Sequence, residues 1–350
     1  MKLKKLIALL LVAVMTLSLV GCGTKEDDSS KDTPVSSDKT ADKTAPGEGS
    51  KKIYWVTKIM GSQYWSVVED GVKAACEENG YEMICTGLQA ETDVEKQVQL
   101  LADAVSAKPA AILIAPCDSQ AMTQSVTEAE ATGIPVVLVD TKIASEEGFD
   151  ACIATNNKEA GKVCAEQMIK HLKAANVDHA KVGVMVASTG SQTVTDRLDG
   201  FKEYWDANAE DGWEVLWDEV KINDGDTTKA LSDAKDLIMA HPDLNALWGV
   251  NNSGSIGAST ALKELDRDDI TIVGMDFSND TPQMLEAGYM KAAVAQRQFQ
   301  MGYQGVETAL KIMKGEAVEK YVDTGVITIE KDTLDSAEAA EVMKYYGGSK

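Results

Sequence analysis

The chain has 350 residues, a formal net charge of −22, 44% hydrophobic and 5% aromatic residues. So acidic a surface repels phosphate backbones and anionic headgroups, which excludes nucleic acid as a partner and leaves no electrostatic hold on a membrane. A globular part of about 300 residues exceeds what one core serves and suits two domains.

The chain opens on Lys2, Lys4 and Lys5 and an apolar run from Leu6 to Val20. That run is too short to span a bilayer comfortably, and with its basic flank it reads as a secretory signal over residues 1–21. Leu19-Val20-Gly21-Cys22 resembles the lipobox of bacterial lipoproteins, in which the cysteine is acylated and becomes the mature N-terminus. The alternative is an ordinary cleaved signal with a chance cysteine. Residues 22–51 are rich in Ser, Thr, Asp, Lys, Glu and Gly with little to bury, as expected of a flexible tether. Apolar residues resume at Ile53-Tyr54-Trp55-Val56.

From there short apolar runs alternate with amphipathic stretches. A strand at Ile53–Val56 precedes a helix over Ser62–Asn79, then a strand at Glu82–Cys85 and a helix carrying Val94, Val98, Leu101 and Val105 on one face. Ala111–Ala115 is a strand, Ser119–Thr132 a helix and Ile134–Val139 a strand with no polar position. Continuous apolar strands are buried on both faces, as in parallel sheets covered by helices. A second series places helices at Lys158–Lys173, Thr195–Asn208, Thr227–Met239 and through Gly257–Leu265. Its strands fall at Val182–Val186, Val215–Lys221, Ala246–Val250 and Thr271–Met275. Gly80, Gly133 and Gly288 stand where helices end. The fold class is therefore α/β, with two doubly wound lobes of parallel sheet facing each other across a cleft. Ligands of such sheets lie beyond the carboxyl ends of the strands.

Polar residues sit at those ends. Thr57-Lys58 follows the first strand, Asp140-Thr141 the run ending at Val139, Asn251-Asn252 the run ending at Val250, Asp276 that ending at Met275, and Gln296 closes Ala292–Ala295. Tyr64-Trp65 opens the first helix. An aromatic face beside an edge of donors and acceptors suits a sugar ring, which has a C–H face and hydroxyls. Taken singly, a strand-end Asp or Asn is often a cap or turn residue, and Tyr64-Trp65 is as readily core packing.

Seven segments resemble the type 1 periplasmic binding proteins, in the ribose-binding-like branch that serves bacterial ABC sugar importers. They are Ser66–Ala75 (SVVEDGVKAA), Pro109–Ser119 (PAAILIAPCDS), Gly133–Asp140 (GIPVVLVD), Asp196–Phe201 (DRLDGF), His241-Pro242-Asp243, Ile272–Asp276 (IVGMD) and Gly305-Val306-Glu307. The resemblance covers about residues 52–330, and by position it implies ligand contacts at Tyr64, Trp65, Asp140, Arg197, Asn251, Asp276 and Gln296. Thr141 stands where the branch usually has arginine, Ala115 near a missing asparagine and Gly225 near a missing aromatic. Lys58 looks like the lysine of autoinducer-2-binding relatives, or is a solvated rim charge. Thr193–Asp196 (TVTD) is similar to the same relatives.

The resemblance implies a monomeric extracytoplasmic protein, anchored by Cys22 to the outer face of the cytoplasmic membrane. It would capture a monosaccharide or polyol and deliver it to an ABC importer permease. The alternative is a sensory protein presenting its solute, for example a furanosyl signal, to a membrane receptor or kinase. The implied lobes are 52–154 plus 297–323 and 155–296 plus 324–335, joined by a three-segment hinge near Ala154-Thr155, Gln296 and Asp323-Thr324, with 336–350 as a tail. The helix from Met301 to Lys314 completes the first lobe and Val326–Ile329 the second. No GxSxG elbow, GxxxxGK loop or HExxH helix occurs, so neither an enzyme nor a cofactor is expected. Besides Cys22 the cysteines are Cys76, Cys85, Cys117, Cys152 and Cys164, with no CxxC pair and with His171, His179 and His241 far away in sequence. No metal site is expected; free buried thiols are favoured, with one disulfide such as Cys76–Cys85 left open.

Overall fold

The structure, a computed structural model, describes residues 49–346; the expected signal peptide, Cys22, and the tether up to residue 48 lie outside the described residues. The first half runs β1 (Lys52–Thr57), α1 (Gln63–Glu78), β2 (Glu82–Gly87), α2 (Val94–Ser106), β3 (Ala111–Ile114), α3 (Thr123–Glu130), β4 (Val136–Val139) and β5 (Ala151–Ala154). The second begins with α4 (Asn157–Ala174), β6 (Lys181–Val186), α5 (Gln192–Asn208), β7 (Glu214–Val215), β8 (Lys221–Ile222) and α6 (Thr227–Ala240). It continues with β9 (Ala246–Gly249), α7 (Asn252–Leu265), β10 (Thr271–Met275), α8 (Thr281–Ala287) and β11 (Ala292–Gln296). The chain closes with α9 (Gln298–Met313), β12 (Tyr321–Asp323), β13 (Val326–Glu330) and α10 (Ala337–Met343).

Two sheets result. One has the order β12-β5-β4-β3-β1-β2, all parallel; the other has β13-β11-β10-β9-β6-β7, with β8 also on β6. The chain passes between them three times, after β5, after β11 and after β12. β13 is the exception to the parallel rule, running antiparallel to β11. Its origin explains this. β12 hands the chain over at the end where the strands finish, so β13 enters the second sheet from its carboxyl edge and runs back.

Four differences from the sequence reading are local. The stretch Val215–Lys221 is two short strands separated by a 3₁₀ turn at Trp217–Glu219, because Trp217 turns in to meet Phe201 edge-on at 6.1 Å. α3 starts at Thr123, not Ser119: Asp118 Oδ1 accepts from the amides of Gln120 and Ala121, and Ser119 Oγ donates to Lys142 O. Two short strands are absent from the sequence reading: β5, which lies between β4 and β12, and β12, which forms the edge of that sheet. The segment 336–350 carries α10, whose Ala339 and Val342 are buried in the second lobe's core.

Each lobe clamps one helix against another through glycines. A Cβ on Gly161 of α4 would lie 2.0 Å from Arg197 O, and one on Gly200 of α5 would lie 1.9 Å from Lys158 O. Gly71 of α1 and Gly302 of α9 do the same in the first lobe, at 2.1 Å from Phe299 O and 2.1 Å from Val68 O. Only residues without a Cβ allow backbones so close. These contacts set the helices that carry Tyr64, Trp65 and Arg197. Cys76, Cys85, Cys117, Cys152 and Cys164 are free thiols, and burial pushes all five up to about 11 or 12.

Candidate functional site

Strand-end residues of both sheets line one cavity of about 940 Å³. Lys58, Tyr64, Trp65 and Asp140 come from the first lobe, and Arg197, Asn251, Asp276 and Gln296 from the second. Thr141 does not line it; it stands behind Asp140 and is buried. The lobes touch on the cavity's flanks. Thr141 Oγ1 and Thr193 Oγ1 are 3.0 Å apart, Lys58 Nζ donates to Ser191 Oγ at 3.4 Å, and Asn279 N donates to Gln63 Oε1 at 3.0 Å. This is a closed arrangement.

Asp140 and Asp276 occupy equivalent places. Each follows a central strand, has its amide donating at 2.9 Å to the neighbouring strand (Ile153 O and Val294 O), and is 4% exposed. Each adopts a left-handed backbone, φ 69° and 72°, which side-chain-bearing residues rarely enter and which Asp tolerates better than most. The turn breaks the strand and points the carboxylate past its end.

Their partners differ. Asp140 Oδ1 accepts from Tyr64 OH at 2.5 Å, and Oδ2 from Thr141 Oγ1 at 2.6 Å with Lys58 Nζ at 3.7 Å. Asp276 Oδ2 accepts from Asn252 N at 2.8 Å and Oδ1 from Gln296 Nε2 at 2.6 Å. Burial raises the Asp276 carboxyl above its ordinary range, with Arg197 and Gln296 opposing. Tyr64 is pushed well above a normal phenol by burial and by the Asp140 charge, so it remains a donor.

Arg197 is fixed from behind: Nε donates to Asn157 Oδ1 at 2.9 Å and Nη1 to Val250 O at 2.8 Å, leaving Nη2 for the cavity. Trp65 is 5% exposed and packs on Trp55 at 6.2 Å and edge-on to Tyr64 at 5.0 Å, so it serves the core as well as the cavity wall. Asn251 Nδ2 donates to Ser253 Oγ at 2.6 Å, and that hydroxyl donates on to Asn223 Oδ1 at 2.7 Å. With their amide nitrogens so engaged, Asn251 and Gln296 keep buried oxygens without a protein partner. The atoms these two residues leave free for a ligand are therefore acceptors.

Sequence reasoning missed Glu91, Ser191, Thr193 and Ser253 as cavity residues. Glu91 lies in the polar loop after β2, where nothing in the sequence distinguishes it. Gly225, across the cleft, has φ +78°, and a Cβ there would meet Ile59 Cδ1 at 2.7 Å and Glu91 Oε1 at 3.7 Å. Side chains of the first lobe thus fill the space an aromatic would need.

Residues 53–317 match the family model for the periplasmic binding protein domain. The chain belongs to that family. It is a type 1 periplasmic binding protein of the ribose-binding-like branch, a group of sugar-binding transport proteins and not enzymes. It is 29% identical over 267 residues to the ribose import binding protein of Escherichia coli, covering 76% of this chain and 86% of that one. It is 25% identical to the D-apiose import binding protein of Actinobacillus succinogenes, covering 83% and 90%. Among solved structures, an ABC transporter solute binding protein from Agrobacterium vitis with bound D-fucose superposes with TM-score 0.79 at 31% identity, covering 83% of this chain and 99% of that one. A carbohydrate transporter solute binding protein from Agrobacterium radiobacter in complex with D-arabinose gives 0.80 at 29%, covering 84% and 98%.

Proposed function

We propose that this chain is the solute-binding component of an ABC importer, held outside the cytoplasmic membrane by acylated Cys22, and that it takes a monosaccharide or related polyol in the interlobe cavity. One observation carries the reading: two buried strand-end carboxylates, one from each sheet, meet around a cavity that also holds an anchored guanidinium and an aromatic wall. Asp140 and Asp276 accept from vicinal hydroxyls, Arg197 donates through Nη2, Trp65 supports the ring face, and Thr141 holds Asp140 in place. A solute gripped by both lobes favours the closed arrangement, which the permease then reads. The relatives named for ribose, apiose, fucose and arabinose support a sugar ligand.

Titration calorimetry against D-ribose, D-allose, D-apiose, D-arabinose, D-fucose, other hexoses and polyols tests the reading. Saturable binding to one of them is expected, and no binding to any would sink it. The anchor has its own test. Cys22→Ala should release the protein from membranes or leave it unprocessed with ligand affinity unchanged, and mass spectrometry should find more than one acyl chain on native Cys22, because one chain holds weakly.

A further inference from the structure

The cavity carries more negative charge than a neutral ring requires. Asp140, Asp276 and Glu91 line it against Lys58 and Arg197, and Lys58 already lies 3.7 Å from Asp140. The rim adds Asp224, Asp226 and Asp280 against Lys229, whose ammonium is itself shared between Asp224 at 3.7 Å and Asp233 at 3.5 Å. Gln296 and Asn251 contribute further acceptor oxygens.

Glu91 is the member whose role the monosaccharide reading leaves unassigned. Asp140 and Asp276 are each held by two short hydrogen bonds, whereas burial raises the Glu91 carboxyl above its ordinary range, Lys58 and Arg197 oppose that, and Asp140 and Asp276 add to it, with no side-chain hydrogen bond among these influences. Its carboxylate is half-buried and lies against Gly225 of the opposite lobe, so closing the cleft brings it over whatever the cavity holds. A half-desolvated carboxylate repels a second anion far more strongly than one in water does. The same group pairs readily with an ammonium.

Resting on the monosaccharide reading, we propose that Glu91 sets the charge preference of the cleft: a sugar bearing an ammonium group above the neutral sugar, and the neutral sugar above its carboxylate or phosphate counterpart. Such selection works by a repulsive element as much as by an attractive one.

Calorimetry on the wild type, Glu91→Gln and Glu91→Ala tests this with D-galactosamine, D-galactose and D-galacturonate, and with D-ribose against D-ribose 5-phosphate. Glu128→Gln, on the exposed face of α3, controls for loss of one surface charge. The wild type should separate successive members of a series by about tenfold or more. Glu91→Gln should compress each ratio by about tenfold while the neutral sugar changes little, and Glu128→Gln should leave the ratios alone. Neutral-sugar binding with ratios that Glu91→Gln and Glu91→Ala do not alter, or a wild type that prefers the anion, overturns the role of Glu91 and leaves the monosaccharide reading standing. Where the wild type binds another neutral sugar of the calorimetric panel instead, the same ratios are read with that sugar's amino and acid forms, and only failure of the whole panel and of its charged forms to bind any variant overturns both.

Discussion

Asp140 and Asp276 share strand position, backbone conformation and burial, yet they are built into the molecule differently. Asp276 is held by Asn252 N and Gln296, both from its own lobe. Asp140 is held by Tyr64, Thr141 and Lys58, and two of these reach across the cleft, Thr141 to Thr193 and Lys58 to Ser191. One carboxylate belongs to a wall built within a single lobe. The other belongs to a network with contacts from both lobes. Matching local geometry therefore does not imply matching roles: on the proposed sugar-binding reading, Asp276 supplies preorganised affinity, while Asp140 couples affinity to lobe position.

The sharpest way to break this comparison is to remove the groups that grip from each side. Asp140→Ala and Arg197→Ala should each weaken sugar binding by tenfold to a hundredfold, since a charge-assisted hydrogen bond contributes about 1.5–3 kcal/mol. Arg197→Ala should also lower thermal stability, because Asn157 Oδ1 and Val250 O lose their buried donor. Calorimetry with melting curves reads both. Affinity within twofold of wild type in both variants would remove these residues from the site.

Asp276→Asn comes next, with about a tenfold loss of affinity. The fold should tolerate it, because Asn keeps an oxygen for Asn252 N and the Gln296 amide can turn its unpaired oxygen toward the new N–H₂. Its stability effect has the opposite sign. Burial raises the folded-state value of Asp276 above that of the unfolded chain, so the folded protein holds this proton more tightly. The associated stability is fully present below the unfolded value and is lost as pH rises through the folded one. Ligand-free Asp276→Asn should therefore melt slightly higher than wild type at neutral pH and equally in strong acid. A variant that melts lower at neutral pH would show that hydrogen bonding, and not desolvation, governs this site.

The smallest effect is expected at the interlobe contact. Thr193→Val removes the hydroxyl opposite Thr141, which should cost about 0.5–1 kcal/mol of closed-state stability and weaken binding by about fivefold or less. Small-angle scattering of the unliganded variant should show a more open particle than wild type. An unchanged profile would mean that Thr141 and Thr193 do not bias the lobes.

What the sequence disclosed follows the same division. Strands buried on both faces, such as Val136–Val139 and Thr271–Met275, are continuous apolar runs and read directly. Short edge strands such as β7, β8 and β12 carry too few residues for any periodicity, and α10 is a helix of only about two turns whose burial depends on partners far away in the chain. Strand-end residues were legible because a polar residue after an apolar run is conspicuous. Glu91 was not, being one acidic residue among 56 in a loop without pattern. The way Thr141 supports Asp140, and the committed amides of Asn251 and Gln296, depend on which atom faces which. Only three dimensions reveal that.

The glycine-clamped helix pairs make the hinge a crank. The first crossing leads straight into α4, which is locked to the α5 that bears Arg197; the second leads straight into α9, which is locked to the α1 that bears Tyr64 and Trp65. In the proposed closure each connecting segment would turn its helix pair as one unit, with little of the motion lost in side-chain rearrangement. For anyone building a fluorescent sensor from this scaffold, the exposed faces of α4 and α9 are the natural mounting points, and Gly71, Gly161, Gly200 and Gly302 are the four positions to leave untouched.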